Sequence, residues 1–233
     1  MNDILTDYNT VNPSVYFFNT SKYFVMWCGY YMYITYLHNK KRLGINDLQE
    51  EKAIEAKTRI ISSTHAILCC VYSSLYLINK IDYVVWLNHI PMSSGFGLFD
   101  AFIVTKNYNI FKKGYFPVIL HHIVLIFGPL VMTKYISYFA SQSYLFELTV
   151  PILDYNWLLY NKKKQNTTLF KINSGVSLFS FFLFRILNSL HLTYYIENKN
   201  YFVKLFSFIF LLLNINWFYG LINLFIKSKS KKN

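Results

Sequence analysis

The stretch VILHHIVLIF, Val118–Phe127, sets two adjacent histidines in a run that is otherwise hydrocarbon. What two imidazoles can do there depends on the medium around them, and composition indicates the medium. Of 233 residues, 54% are apolar and 20% aromatic while only 15% are charged, far from the balance of an ordinary soluble domain. The apolar residues gather in blocks of about 20, the length that crosses a bilayer, and the charges collect between them. The chain therefore reads as an all-α membrane protein, with seven transmembrane helices in one bundle at 14–37, 60–79, 83–105, 115–132, 135–160, 170–195 and 201–226. Within the third block NHIPMSSGFG interrupts the apolar run, so its helix is expected to begin near Pro91. The polar stretch NDLQEEKAIEAKTR, Asn46–Arg59, has helix-forming composition behind an asparagine cap and reads as a surface helix leading into the second span.

Basic residues test this division independently of hydropathy. With Lys22, Lys171 and Lys204, which stand near the starts of their spans, counted with the segments that precede them, Lys plus Arg number 1, 6, 1, 3, 1, 4, 2 and 4 along the amino terminus, the six connections and the tail, and of 23 in all Arg185 is left within a span. The alternation places the rich segments in the cytoplasm, the amino terminus in the lumen and the tail in the cytoplasm. The net charge of +12 is then a matter of topology and of contact with anionic headgroups. No nucleic-acid recognition motif accompanies it, so no nucleic acid partner is expected. The first thirteen residues are polar and the first apolar block ends in HNKKR, which argues against a cleavable signal peptide. Cys28, Cys69 and Cys70 all fall within spans, so no disulfide framework is expected. Asn166 opens a glycosylation triplet, NTT, in a lysine-rich connection assigned to the cytoplasm.

The polar residues inside the spans can be placed by depth, at 1.5 Å per residue along each helix. Measured from Arg59, Lys106, Lys113 and Lys162 at the inner boundary, His65, Asp100, His121, His122 and Asp154 all lie about 9–13 Å in. Glu147 and Arg185 lie deeper, about 21–23 Å in, and read as a structural charge pair between the fifth and sixth spans. Charges and imidazoles are costly at such depths, so the shallower group is the candidate functional site. Adjacent helical residues point about 100° apart, so His121 and His122 cannot aim at one atom. That argues against a two-histidine metal clamp and for one ring facing the interior with the other supporting it; no metal site is expected.

Five segments, RIISSTHAI with Arg59 and His65, GFGLFDAFI with Asp100, HHIVLI, ELTVPILDYNWLL with Glu147, Pro151 and Trp157, and NSGVSLFSFFLFRI with Asn173 and Arg185, stand in family order. From about Arg59 to Ile226 the chain resembles the TLC domain family, most closely its small multi-pass proteins and more distantly the ceramide synthases. Together with the topology from the basic count, the resemblance divides the chain into three parts: residues 1–58 with a lumenal terminus, a first helix and a cytoplasmic connection, a TLC domain at 59–226, and a basic tail at 227–233. It also implies residence in the endoplasmic reticulum or Golgi and a role in lipid homeostasis, by handling or sensing lipids. The alternative that it implies is a ceramide-synthase-like N-acyltransferase, with His121 and His122 at the active site, acyl-CoA and a sphingoid base as substrates, and no further cofactor. His65 and Asp100 would join the histidine pair, and Asp154 is a candidate lipid contact. Ceramide synthases carry an Asp-x-x-Asp pair some thirty residues after the histidines, where this chain reads ELTVPILDYNW.

The tail IKSKSKKN places Lys231 third and Lys229 fifth from the last residue, which resembles the K-x-K-x-x retrieval signal read by a cytoplasmic coat. The alternative is that its lysines serve only as topological anchors. Expected partners are membrane lipids, with coat recognition of the tail and self-association left open. A seven-helix light sensor is disfavoured, because no lysine lies at mid-depth in the seventh span.

Overall fold

The computed structural model describes residues 5–6, 10–131, 134–195 and 201–230. Among them a two-residue antiparallel pairing, β1 (Leu5–Thr6) with β2 (Thr10–Val11), precedes seven helical stretches. These are α1 (Pro13–Asn39), α2 (Glu50–Leu77), α3 (Tyr83–Lys106), and a stretch made of α4 (Tyr108–Phe111) and α5 (Tyr115–Phe127) that ends in a 3-10 turn over Gly128–Val131. Next, α6 (Lys134–Tyr144) passes through a 3-10 turn at Leu145–Leu148 into α7 (Thr149–Asn161). Then α8 (Thr168–Phe181) passes through a π-helical segment, Phe182–Leu187, into α9 (Asn188–Tyr195), and α10 (Tyr201–Ser230) follows. The expected all-α class holds. Among the described residues three helices are long and apolar enough to cross a membrane, Glu50–Leu77, Tyr108–Leu130 and Thr168–Tyr194. Lys229 belongs to the last turn of α10, whose side chains lie outside the described residues, as does all of Lys231.

Local chemistry explains the boundaries. Asn12 Oδ1 accepts from the amides of Ser14 and Val15 at 3.1 and 3.3 Å, with Pro13 in the first turn, so α1 begins where its orphan amides are satisfied. Asp82 caps α3 through Val85 N at 2.8 Å, and Thr167 caps α8 through Phe170 N at 3.2 Å. Three helices end alike. Lys41, Asn79 and Lys163 adopt φ of 55–56°, and the two amides after each helix reach back in the 5→2 and 6→1 pattern of a Schellman cap. Two of those positions are lysines, whose charge suits the negative end of the helix dipole.

Two sequence expectations are corrected here. The third helix starts at Tyr83 and runs unbroken past Pro91, because the Asp82 cap nucleates it and Pro91 removes only one backbone bond. Asn46 is not a helix cap: its Nδ2 donates to Leu43 O within the preceding turn, and α2 begins four residues later after Gln49, whose side chain caps nothing. The stretch expected as a surface helix is the first part of α2 itself, stiffened by Glu55 pairing with Lys52 at 2.9 Å and with Arg59 at 3.0 Å.

The chain divides into two compact units, Met1–Tyr138 and Phe139–Asn233, a boundary that falls within the expected 59–226 domain. In the first, Trp27, Ile34, Ile61, Met92, Phe96, Phe99 and Ile103 form the core. There α1 crosses α3 so closely that a Cβ on Gly95 would stand 2.6 Å from Tyr23 Cβ and 2.8 Å from Phe24 N. In the second, Asn173 Nδ2 donates to Ile152 O at 3.0 Å and Ser174 Oγ donates to Asn156 Oδ1 at 3.0 Å, joining α8 to α7.

Candidate functional site

The site of the first unit grows from matched faces on α2 and α3. The two helices run antiparallel through a short turn, and residues three, four and seven apart share a helix face. Tyr76, Tyr72 and His65 on α2 meet Trp86, His89 and Phe96 on α3 as stacked ring pairs with centroids 5.3, 4.2 and 3.9 Å apart. One polar rung lies between the last two. His65 Nε2 is 2.8 Å from Ser93 Oγ and 3.1 Å from Cys69 Sγ, and the sulfur is 3.5 Å from the same hydroxyl. All three side chains are buried, and among the described residues Nδ1 of His65 has no hydrogen-bond partner.

Helix α5 lies against the next face of α3, over Ser94, Gly97 and Asp100, at steps of three residues. A Cβ on Gly97 would meet Leu125 and Ile126 at 3.3 and 3.4 Å. This close approach brings His122 Nε2 to 2.7 Å from Asp100 Oδ2, with both residues buried. A carboxylate only accepts, so Nε2 carries the proton of that bond and Nδ1 is left as the second nitrogen. Among the described residues Nδ1 of His122 is buried without a hydrogen-bond partner. The carboxylate thus fixes both the tautomer and the ring plane, the arrangement that makes an imidazole a general base. The Phe96 ring stands nearly perpendicular to that of His122, with centroids 6.1 Å apart, while lying flat on His65.

Among the residues singled out from sequence, His65, Asp100, His121 and His122 all belong to this unit. The helical offset between the two neighbouring histidines resolves as one buried ring, His122, beside one half-buried ring, His121, with centroids 5.4 Å apart. Asp154 stands half-buried on α7, in the second unit. Also in that unit, Arg185 is buried, and its Nε donates to Phe146 O at 3.2 Å and to Thr149 Oγ1 at 2.8 Å. Its guanidinium lies 5.3 Å from the Phe181 ring and 5.6 Å from that of Trp217. The two acceptors flank Glu147 in sequence, so Arg185 is held against the turn that carries it.

Sequence reading missed Ser93, Cys69 and Phe96. Their signal was present in the spacing, since His89, Ser93, Phe96 and Asp100 fall on one α3 face at steps of four, three and four. Among the described residues no group of three or more His, Cys, Asp or Glu is placed to hold a metal ion. Comparison with protein-family models, with curated proteins and with solved structures finds no match to this chain.

Proposed function

We propose that this chain is a multi-spanning endomembrane protein that acts in lipid homeostasis through a TLC-like bundle, with His122 and Asp100 as its working pair. The observation that carries the reading is the 2.7 Å bond between a buried imidazole and a buried carboxylate on different helices. Ionisable groups at such depth are costly and commonly mark a site rather than packing. Support for the medium comes from large apolar side chains that stand exposed on the helices, among them Phe116, Phe179 and Val25. The seven helical stretches are the proposed spans, with the amino terminus in the lumen, the tail in the cytoplasm, and the endoplasmic reticulum or Golgi as residence.

A second reading, transfer of an acyl group from coenzyme A to a long-chain amine, is favoured by that same bond. The amine nitrogen would attack the thioester carbonyl, the C–S bond would break, and coenzyme A would leave as its thiol. The attacking nitrogen must shed a proton, and His122 Nδ1, with Asp100 stabilising the resulting imidazolium, is the group suited to take it.

Lipid profiles of cells carrying the wild-type chain, His122→Ala or no chain test the primary reading. Wild type should differ from the null and His122→Ala should match the null; a His122→Ala profile equal to wild type would remove the pair from the function. Microsomes given acyl-CoA and a sphingoid base separate the second reading, since amide formation must depend on His122.

A further inference from the structure

We infer that Tyr16 and Ser94 are positioning residues that set the register of α5 so that His122 meets Asp100, an inference that rests on the reading of that pair as the working site. The register of α5 turns on Pro129. In an α-helix the amide of residue i+4 satisfies the carbonyl of residue i, and Pro129 has no N–H to give to Leu125 O. The Gly128 amide still reaches Val124 O, but the chain then tightens into a 3-10 turn at Gly128–Val131, in which the Leu130 amide reaches back three residues rather than four and so passes over Ile126 O. Two successive carbonyls near the end of α5 therefore lack backbone donors, within a buried face where an unmet carbonyl is costly.

Both are met by hydroxyls from other helices. Ser94 Oγ, on α3, donates to Leu125 O at 3.0 Å, and Tyr16 OH, on α1, donates to Ile126 O at 2.5 Å. The two hydroxyls are themselves 2.6 Å apart, so the Tyr16 proton is shared between Ile126 O and Ser94 Oγ. Tyr16 is fully buried, which ties this tyrosine to α5 rather than to solvent. Ile126 is four residues beyond His122, on the same buried face, about 6 Å along the axis. Ser94 is six residues before Asp100 on α3. The clamp and the His122–Asp100 bond thus fasten the same two helices at two heights, and sliding α5 by one residue would break both.

The test is spectroscopic, so that it does not depend on knowing the lipid. The full chain, with ¹⁵N-labelled histidine, is placed in phosphatidylcholine nanodiscs, and the ring nitrogens of His122 are read by long-range ¹H–¹⁵N correlation, assigned by their loss in His122→Gln. Wild type should show one species with Nε2 protonated and hydrogen-bonded. Tyr16→Phe, which removes a single oxygen, and Ser94→Ala should each turn at least a third of the signal into the tautomer mixture that Asp100→Asn produces. Ser94→Thr restores the hydroxyl and should restore the single species. Unchanged spectra in both Tyr16→Phe and Ser94→Ala would overturn the inference, as would an equal change in Ser180→Ala, which loses a buried hydroxyl bonded within its own helix to Ser177 O. If Tyr16→Phe fails to yield monodisperse protein, the Ser94→Ala and Ser94→Thr pair decides. Spectra that respond as stated, together with a lipid profile indifferent to His122→Ala, would keep the positioning role and discard the functional reading.

Discussion

Phe96 lies flat on His65, with ring centroids 3.9 Å apart and planes 11° from parallel, and stands nearly perpendicular to the ring of His122. One aromatic residue thus forms a wall shared by two imidazoles that do not touch through it. Truncating it should loosen both. Phe96→Ala removes a buried ring at the centre of the first unit's core and should cost about 3–5 kcal/mol, the usual toll of a large core truncation. Thermal unfolding of the purified chain in detergent checks this. A loss below about 1 kcal/mol would show that the ring is not packed as described.

The two neighbouring histidines should separate in their effects. His122→Ala leaves the Asp100 carboxylate buried without its imidazole, a change that typically costs about 3–5 kcal/mol, so the lipid phenotype and the protein's abundance should fall together. His121→Ala, at a half-buried ring, should leave abundance nearly unchanged. Asp100→Asn preserves shape and an acceptor oxygen, and should lose the phenotype with a smaller loss of protein. Immunoblots beside lipid profiles measure both quantities, and equal behaviour of the two histidine variants would contradict the geometry.

Two glycines on described helices of the first unit should respond with opposite signs. Gly95→Ala drives a methyl into the backbone of α1 at Phe24 N and Thr20 O, 2.8 and 2.9 Å away, and overpacking of this kind costs about 1–3 kcal/mol. Gly29→Ala meets nothing within 4 Å and should gain about 0.5–1 kcal/mol from the lower entropy of the unfolded chain. Melting temperatures of the two variants against wild type give the comparison directly.

Arg185 supplies a test of the deeper charge pair. Arg185→Met should lower abundance by breaking the bonds to Phe146 O and Thr149 Oγ1 and, on the pairing proposed from sequence, by stranding Glu147. Adding Glu147→Gln should recover part of the loss if the two charges face each other. Strictly additive losses in the double variant would mean that they do not interact.

Topology can be read with terminal tags in sealed microsomes. The proposed seven spans expect a protected amino-terminal tag and a digested carboxyl-terminal tag, and two tags on one side would rule out an odd span count. Asn166, exposed in the connection between α7 and α8, should carry no glycan, because that connection is assigned to the cytoplasm.

Much of the helical layout was legible in sequence because it depends on one-dimensional signals, apolar blocks divided by lysines. The ends of α1 and α7 coincide with lysine runs that also form their C-caps, so hydropathy and capping agreed there. Pro91 misled the reading of α3, since a proline inside an apolar run looks like a break unless the Asp82 cap eight residues upstream of Ile90 is weighed with it. For the candidate site, depth along each helix grouped His65, Asp100 and His122, but depth carries no azimuth. That His122 rather than His121 turns to Asp100 depends on the approach of α5 at Gly97, a tertiary fact with no local signature. Tyr16 was invisible for the same reason: its partners are a backbone carbonyl 110 residues away and a hydroxyl 78 residues away.

The π-helical segment at Phe182–Leu187 has a further consequence, for how this chain should be aligned with others. Bonding from i to i+5 accommodates one more residue per turn than an α-helix, and each added residue rotates everything after it by about 100°. A relative with an uninterrupted α-helix at this place would match both α8 and α9 only across a one-residue gap. An alignment that forbids the gap would pair the wrong faces of α9, setting Ser189, which accepts from Asn214 at 2.9 Å, opposite a position that looks outward. Arg185 sits within the segment itself, so an arginine one place off in such a relative would still be its spatial counterpart.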